Sequence, residues 1–223
     1  ISKSVIRNFS INISLRNKNC DLYGLCNDVE ESKVIDSTFD VVSDTSRGQG
    51  IADSISDSSS IRSCHTTGRL TVRKRNCGGI VGYLNPGCSI VNSTSDIEII
   101  RSEKAERQDT GGICSRIYGD STVKNCQFNG VIKYEGKLED RLGPCGGIVG
   151  NVYNGKIVGC ENKGDIDVDI DRVGGIAGRA GSGFIEKCAN YGEINGIKNV
   201  GGLVGMVGTN PEFEKYEADK SEA

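Results

Sequence analysis

The chain has 223 residues, of which 36% are hydrophobic and 5% aromatic, with no tryptophan and a formal net charge of −3. Lysines and arginines are scattered, and their one cluster, Arg73-Lys74-Arg75, is short, so we predict no nucleic-acid partner. No apolar run approaches the ~18 residues of a membrane-spanning helix, and no signal peptide is visible, so we also predict no membrane insertion.

A short glycine motif recurs about seven times along the chain. The copies are YGLCNDV from Tyr23, GIADSI from Gly50, GGIVGYL from Gly78, GGICSRI from Gly111, GGIVGNV from Gly146, GGIAGRA from Gly174 and GGLVGMV from Gly201. Equivalent glycines are separated by 26 to 35 residues. A period of this length predicts a solenoid, in which each unit buries its apolar side only by stacking on its neighbours.

Aligned copies show three apolar segments per unit. The first follows the glycine with a large aliphatic residue at Leu25, Ile51, Ile80, Ile113, Ile148, Ile176 and Leu203. The second carries Val34, Ile61, Ile90, Val123, Ile157 and Ile185, and the third alternates apolar and polar residues, as in Leu70-Thr71-Val72. Alternation with period two and many β-branched residues favour strands over helices.

Two further columns constrain the corners of each unit. Serine or cysteine stands three residues after the second-segment aliphatic, at Ser37, Cys64, Ser93, Cys126, Cys160 and Cys188. Because an offset of three cannot share one face of a flat strand, we predict a bend between these two columns. Glycine, asparagine or aspartate follows the first segment at Asn27, Asp53, Gly82, Gly150, Gly178 and Gly205, with Ser115 as the exception. These residues tolerate a left-handed backbone, so we predict a positive φ there.

The fold prediction is an all-β protein, a right-handed parallel β-helix of about seven coils with three short strands each. We assign 1–208 to this β-solenoid. Residues 209–223 are acidic and nearly free of aliphatics, and a possible helix start at Pro211 predicts a C-terminal cap or linker, with a short helix as one option.

Two charged insertions lengthen the longest units. Residues 101–109 (RSEKAERQD) and 135–144 (EGKLEDRLGP) occupy the same place, between the third strand and the next glycine pair. We therefore expect them to project side by side from one edge. Insertions on one side of a solenoid often mark its binding face, and neutral variation in exposed loops is the alternative.

The repeated GG-[IL]-[VA]-G followed by an NC-x-N-x-G-x-I element resembles the GLUG-motif repeats of bacterial cell-surface proteins. The best copies are GGIVGNVYNGKIVGCENKGDIDV (146–168) and GGIAGRAGSGFIEKCANYGEING (174–196). Such repeats occur in secreted or wall-anchored adhesin-like proteins and in a non-catalytic part of bacterial immunoglobulin-A-cleaving metallopeptidases. The resemblance implies an extracellular β-solenoid with a binding or spacing role, and it transfers no catalytic residue.

The reactive side chains fit structural roles better than a metal or catalytic site. No CxxC pair exists among the ten cysteines, so we predict an internal, unbridged column of thiols. His65 follows Cys64 directly, and neighbours on a strand point to opposite faces, so we predict an exposed histidine and no catalytic dyad. The acidic residues Asp165, Asp167, Asp169 and Asp171 alternate with aliphatics and predict a solvated strip. Calcium binding by this strip is the alternative.

The functional prediction is a non-catalytic extracellular module, secreted or on the cell surface, acting in adhesion or ligand recognition. We expect a host or bacterial surface protein or glycan as partner, and further repeats or domains of the parent chain as another possibility. A purely structural spacer is one alternative. A polysaccharide lyase or hydrolase is another, since parallel β-helices host such enzymes and Glu98, Arg101, Lys133 and Glu135 could form a charged patch. We predict no catalytic, cofactor-binding or metal-binding residue and no cofactor.

Overall fold

The computed structural model describes residues 1–102, 109–135 and 143–208, and every regular element in these ranges is a β-strand. Its 30 strands form four sheets, and the paired strands run parallel. Each strand pairs with the equivalent strand of the next unit. In the complete units the chain visits the four sheets in the same order, so we number them sheets 1 to 4 in that order.

Sheet 1 begins just after each glycine motif. Its strands are Cys26–Glu30, Ala52–Ser56, Val81–Leu84, Cys114–Ile117, Val149–Val152, Ala177–Ala180 and Val204–Val207. Sheet 2 contains the second apolar segment of each unit. Its strands are Val5–Arg7, Lys33–Ile35, Ser60–Arg62, Ser89–Val91, Thr122–Lys124, Lys156–Val158 and Phe184–Glu186.

Sheet 3 is the largest sheet, with long strands in the early units and two short strands per unit later. Its strands are Ser10–Tyr23, Thr38–Gln49, His65–Val72, Thr94–Ser95, Glu98–Ser102, Gln127–Phe128, Val131–Glu135, Glu161–Asn162, Asp165–Asp167, Ala189–Asn190 and Ile194–Asn195. Sheet 4 leads into the glycine motif with the strands Cys77–Gly78, Thr110–Gly111, Cys145–Gly146, Asp171–Gly174 and Lys198–Gly201. The sequence predicted three strands per unit and missed sheet 4, because two-residue strands built around glycine carry no alternating pattern.

The core is made by the predicted apolar columns. The aliphatic residue after the glycine is fully buried in the five inner copies, Ile51, Ile80, Ile113, Ile148 and Ile176. Phe39 and Phe128 are the largest apolar side chains of the core and are at most 1% exposed. Burial of one such side chain stabilises the fold by ~1.5–3 kcal/mol, and the repetition of these columns gives a continuous core along the stack.

A left-handed corner separates sheet 2 from sheet 3. The residue directly before the serine or cysteine column, or before Phe9 at the equivalent place in the first unit, has a φ between 49° and 64°; these residues are Asn8, Asp36, Ser63, Asn92, Asn125, Gly159 and Lys187. The predicted bend between the two columns is therefore confirmed. It turns the chain so that the aliphatic of sheet 2 and the following cysteine, such as Ile157 and Cys160, both point inward and are buried.

The prediction of a left-handed backbone at Gly150, Gly178 and Gly205 is wrong. None of the three has a positive φ, and neither has Ser115 at the equivalent position. The reason for glycine there is a close approach between sheets 1 and 4. A Cβ on Gly150 would lie 2.8 Å from both N and O of Thr110, which is closer than non-bonded atoms pack.

Burial falls away in the last described unit. Leu203 is 47% exposed and Val200 is 43% exposed, whereas their counterparts one unit earlier, Ile176 and Val173, are fully buried. Every unit therefore depends on both neighbours to cover its apolar columns, as expected for a stacked repeat. The predicted short helix lies within 209–223, outside the described residues.

Candidate functional site

The outer face of sheet 1 carries a column of polar and aromatic side chains. Cross-strand pairing aligns Asp28, Ser54, Tyr83, Arg116, Asn151, Arg179 and Met206. Neighbouring strands in a sheet lie about 4.8 Å apart, so these side chains follow one another along the stack at that spacing. Such a column differs from an ordinary solvated face, because Asn151 and Arg179 are each only 3% exposed.

Sheet 4 supplies the second wall of this face. Its strands pack against the outer side of sheet 1 at the glycine column, where Gly150 meets Thr110 and Gly178 meets Cys145. Asp109, directly before the sheet 4 strand Thr110–Gly111, is 2% exposed and points at the sheet 1 column. We call the two walls together the outer groove, defined by Asp53, Tyr83, Asp109, Arg116, Tyr118, Asn151, Tyr153 and Arg179.

A buried ion pair lies at the centre of the outer groove. Arg116 Nε donates a short hydrogen bond to Asp109 Oδ2, and Asn151 Nδ2 donates to the same oxygen at 3.2 Å. Burial alone would lower the pKa of Arg116, but the Asp109 carboxylate outweighs it and raises that pKa above its usual value. This contact joins sheet 4 to sheet 1 at the groove.

Tyrosine rings surround this ion pair. The Arg116 guanidinium carbon lies 6.0 Å from the Tyr83 ring centroid and 5.8 Å from that of Tyr153, within the range of cation–π attraction. Tyr118 and Tyr153 stack face to face with centroids 4.9 Å apart and planes 1° apart. Three of the seven tyrosines of the chain thus lie around Arg116, which makes this part of the groove both aromatic and polar.

A second polar network lies one unit earlier in the groove. The Gln49 side chain is fully buried, and its Nε2 donates to Asn76 O at 2.9 Å and to Asp53 Oδ1 at 3.2 Å. Burial raises the pKa of the Asp53 carboxyl. Burial, with Asp53 nearby, also raises the pKa of Tyr23 to about 12, and Arg47 lies beside its hydroxyl and opposes that rise. This part of the groove is therefore a buried network of polar and charged side chains.

Of the four residues that the enzyme alternative grouped on sheet 3, Arg101 does not join the others. Arg101 points into the interior and is 1% exposed, and its Nη2 donates to Arg75 O at 2.7 Å. Glu98 pairs across the sheet with Val131 and Arg69 rather than with Lys133, whose partner is Ile100. Arg101 therefore belongs to the core, whereas Glu98, Lys133 and Glu135 share the outer face of two neighbouring strands.

His65 lies where the sequence placed it, and so do the first three residues of the acidic strip, whereas Asp171 is half-buried at the start of a sheet 4 strand. His65 is on the outer face, 40% exposed, with Nε2 2.9 Å from Asp96 Oδ2, whereas Cys64 beside it is buried. Asp165, Asp167 and Asp169 are exposed while the aliphatic residues between them are buried. Within the described residues, no group of three or more histidine, cysteine or acidic side chains could hold a metal ion, and no helix is long and apolar enough to cross a membrane.

The cysteine column is directed inward. Cys64, Cys126 and Cys160 are at most 2% exposed, and Cys160 Sγ lies 3.4 Å from the Cys126 amide nitrogen. All ten cysteines are free thiols in the structure, and Cys20 is the exposed one. Burial raises the pKa of Cys64 to about 11 and that of Cys114 to about 12, which suppresses the reactive thiolate.

We expect a thiol reagent at pH 8 to modify Cys20 rapidly and the buried cysteines slowly in the folded protein. The raised pKa values keep the buried thiols protonated at that pH, because the ionised form would lose its hydration. Denaturation without a reductant should then release nearly ten reactive thiols per chain. Recovery of five or fewer would contradict the unbridged column, and the variant Cys20→Ser should lose only the fast phase.

The two insertions leave and rejoin the fold at paired positions. Ser102 pairs with Glu135 where they leave sheet 3, and Thr110 pairs with Cys145 where the chain enters sheet 4. They therefore occupy equivalent places in neighbouring units, as predicted, and the first leads directly into Asp109 of the outer groove. Residues 103–108 and 136–142 themselves lie outside the described residues.

Sequence reasoning missed the outer groove itself. Tyr118 and Tyr153 occupy equivalent positions after the glycine motif in neighbouring units, and this alignment of a scarce residue type was the available signal. The contact between Asp109 and Arg116 could not be predicted from the aligned repeats, because it forms only when sheet 4 packs against sheet 1.

Solved structures of similar fold include two immunoglobulin A1 protease chains. A chain described as IgA1 protease matches with a TM-score of 0.62 and 16% identity, over 90% of this chain and 16% of that one. A chain from Bacteroides ovatus, provisionally assigned as an immunoglobulin A1 protease, matches with a TM-score of 0.56 and 20% identity, over 92% of this chain and 66% of that one. At these identities the similarity shows a shared fold alone.

No protein-family model and no curated protein matches the sequence. The protease neighbours agree with the part of the resemblance that concerned immunoglobulin-A-cleaving enzymes, whereas the GLUG motif stays a prediction. This chain spans a small part of the first neighbour and less than two thirds of the second.

Proposed function

We propose that this chain is a right-handed parallel β-helix module of a bacterial surface protein, extracellular and non-catalytic, that recognises a protein or glycan of a host or bacterial surface. The recognition surface is the outer groove together with the insertions 101–109 and 135–144. Repeats of the GLUG type would account for the glycine motif. The similarity in fold to chains named as immunoglobulin A1 proteases supports a part in a larger surface protein.

One observation carries the proposal. The insertion that ends at Asp109 delivers that residue into a buried ion pair with Arg116, beside the stacked Tyr118 and Tyr153. A neutral variation in an exposed loop has no reason to end in a buried carboxylate that joins two sheets, since burial of a charge without a role costs free energy. A cluster of tyrosine and arginine side chains is also the composition found at recognition surfaces.

The test is replacement of residues 103–108 and 136–142 by short glycine-serine linkers, leaving Asp109 in place. We expect the wild-type module to bind intact host cells or bacterial cells, and each replacement to weaken that binding at least tenfold without lowering the melting temperature. Replacement of the exposed Glu186-Lys187, at a corner between sheets 2 and 3, by Ser-Gly is the control, because Lys187 already has a positive φ that glycine tolerates. Wild-type binding that survives both replacements would favour the spacer alternative, and so would the absence of any binding.

A further inference from the structure

We propose that the edge of sheet 2 at the last described unit is a strand-binding surface, and that the chain's own segment 212–216 is its occupant. The edge strand is Phe184–Glu186, the last described strand of sheet 2. Phe184 is 65% exposed, and Ile185 is only partly buried, whereas its counterpart Ile157 is fully buried. An uncovered strand edge of this kind pairs readily with another extended segment.

One backbone donor at this edge lacks the acceptor that its counterparts have. In the earlier units the residue at the left-handed corner donates its N–H to the sheet 2 carbonyl that directly follows the buried aliphatic residue of the next unit. The pairs are Asp36 to Arg62, Ser63 to Val91, Asn92 to Lys124, Asn125 to Val158 and Gly159 to Glu186, with N···O distances between 2.9 and 3.1 Å. Within the described residues the Lys187 N–H has no such acceptor. The edge therefore offers a hydrogen bond as well as an apolar surface.

The last described residues direct the chain toward this edge. Gly208 N donates to Ala180 O at 2.9 Å, as Gly181 N donates to Val152 O at 2.7 Å one unit earlier. Arg179 Nη2 also donates to Gly208 O at 2.9 Å. At Gly208 the chain is therefore still in register with the preceding unit, at the point where each earlier unit continues into sheet 2.

The sequence beyond Gly208 has the spacing and alternation of a sheet 2 strand. In the earlier units five or six residues separate the last apolar position of sheet 1 from the buried aliphatic residue of sheet 2, as from Leu84 to Ile90. Six residues after Val207 comes Phe213, which stands between two glutamates in the segment EFE (212–214). An apolar residue between two polar ones is typical of a strand with one buried face.

The residues after Phe213 also match their counterparts. Segment 213–216 reads FEKY where 185–188 reads IEKC, so a lysine again falls at the left-handed corner, where Lys187 has a φ of 55°. Tyr216 falls in the serine and cysteine column. Phe9 shows that this column accepts an aromatic ring, since it packs edge-on against Phe39 with ring centroids 5.3 Å apart. In this alignment the carbonyl of residue 214 is the acceptor for the Lys187 N–H.

Burial of the Phe213 ring is the main driving force for this pairing. The ring would cover Ile185, and Tyr216 would cover Cys188, both of which are partly exposed in the last described unit. Glu214 would lie beside Glu186, and these like charges at an exposed edge oppose the pairing. Charged residues on an outermost strand also discourage the addition of a further strand, so the segment would close this edge against other chains.

The experiment measures amide hydrogen exchange at Lys187 in the whole 223-residue chain. We expect this amide to exchange at least tenfold more slowly than an unstructured amide of the same local sequence. Phe213→Asp, which places a charge in the apolar column, should abolish the protection, whereas Phe213→Leu should keep the rate within about threefold of the wild-type rate. The amide of Asn125, at the same corner inside the stack, is the control and should stay protected in all three chains.

A Lys187 amide that exchanges freely in the wild-type chain would overturn the proposal, and so would one that stays equally protected in Phe213→Asp. Protection that is lost on dilution would assign the edge to a second copy of the chain instead of the chain's own segment. Protection of the amides of 213–218 without protection of Lys187 would favour a helical cap and would also overturn the pairing. None of these results depends on whether the module recognises a surface.

Discussion

Gly178→Ala is expected to destabilise the protein by at least about 3 kcal/mol, which lowers the melting temperature by roughly 6–12 °C for a chain of this size. A Cβ at this position would lie 2.7 Å from C and O of Cys145 and closer still to its N. These are backbone atoms of sheet 4, so relief requires moving a whole strand away from sheet 1. Overpacking of this kind is costly because the interior is close-packed.

Gly202→Ala provides the matched control for this prediction. Gly202 belongs to the same motif in the last described unit, yet a Cβ there would meet no atom within 4 Å and its φ is not positive. Its effect should stay within about 0.5 kcal/mol. Urea and thermal unfolding followed by circular dichroism would measure both. Equal losses for the two variants would show that glycine serves this motif through chain flexibility rather than through close approach.

Asp109→Ala is expected to cost about 3 kcal/mol of stability. The variant removes the carboxylate that accepts from Arg116 and Asn151, and it leaves the Arg116 guanidinium enclosed without its counter-charge. Breaking one side of a buried ion pair typically costs 3–5 kcal/mol. The Arg116 side chain is 22% exposed, so water compensates part of the loss and the lower end of that range applies.

Glu98→Ala removes the carboxylate of a surface pair and is the comparison. Arg69 Nε lies 2.6 Å from Glu98 Oε2, but the Arg69 side chain is 55% exposed, and such pairs contribute less than about 1 kcal/mol. Equilibrium unfolding in urea at low and high salt separates the two cases, since salt screens the exposed pair more strongly. If Asp109→Ala proves as mild as Glu98→Ala, the ion pair does not hold sheet 4 against sheet 1.

Most of the core could be read from the sequence because each inward position is repeated. The column of Ile80, Ile113 and Ile148 is apolar in every unit and buried in the structure, and the same holds for the thiols of Cys126 and Cys160. The sequence of a single unit would not show which positions point into the core. Stacking places all copies of a position in the same environment, so comparison of several copies identifies the inward positions.

The backbone conformation was harder to predict because a glycine can mark either a positive φ or a close approach between two strands. Gly150 is there for a close approach, whereas the left-handed corner is occupied by residues as different as Asn125 and Lys187. A left-handed residue costs ~1–2 kcal/mol when it carries a Cβ, and the surrounding coil supplies enough stabilisation to tolerate many residue types. The residue types alone therefore predicted the positive φ at the column of Gly150 rather than at the column of Asn125, where it occurs.

The outer groove depends on contacts between columns, which an alignment of units does not display. Asp109 precedes sheet 4, Arg116 lies in sheet 1, and their contact exists only because the two sheets fold against one another. Arg101 shows the reverse error: its sequence neighbours suggested a surface charge, and its register with Val72 placed it inside.

Equivalent positions in successive units carry similar residues, and this similarity determines how the chain would respond to the loss or gain of a unit. Ile176 and Leu203 hold the same position in successive units, and the Ile176 N–H donates to Leu203 O. Deletion or duplication of one whole unit would therefore bring together strands with the same pattern of apolar residues. Removal or addition of one unit would thus change the extent of the sheets in steps of one strand spacing, about 4.8 Å. The units with Asp109 and the tyrosines could be lost or multiplied without rebuilding the core.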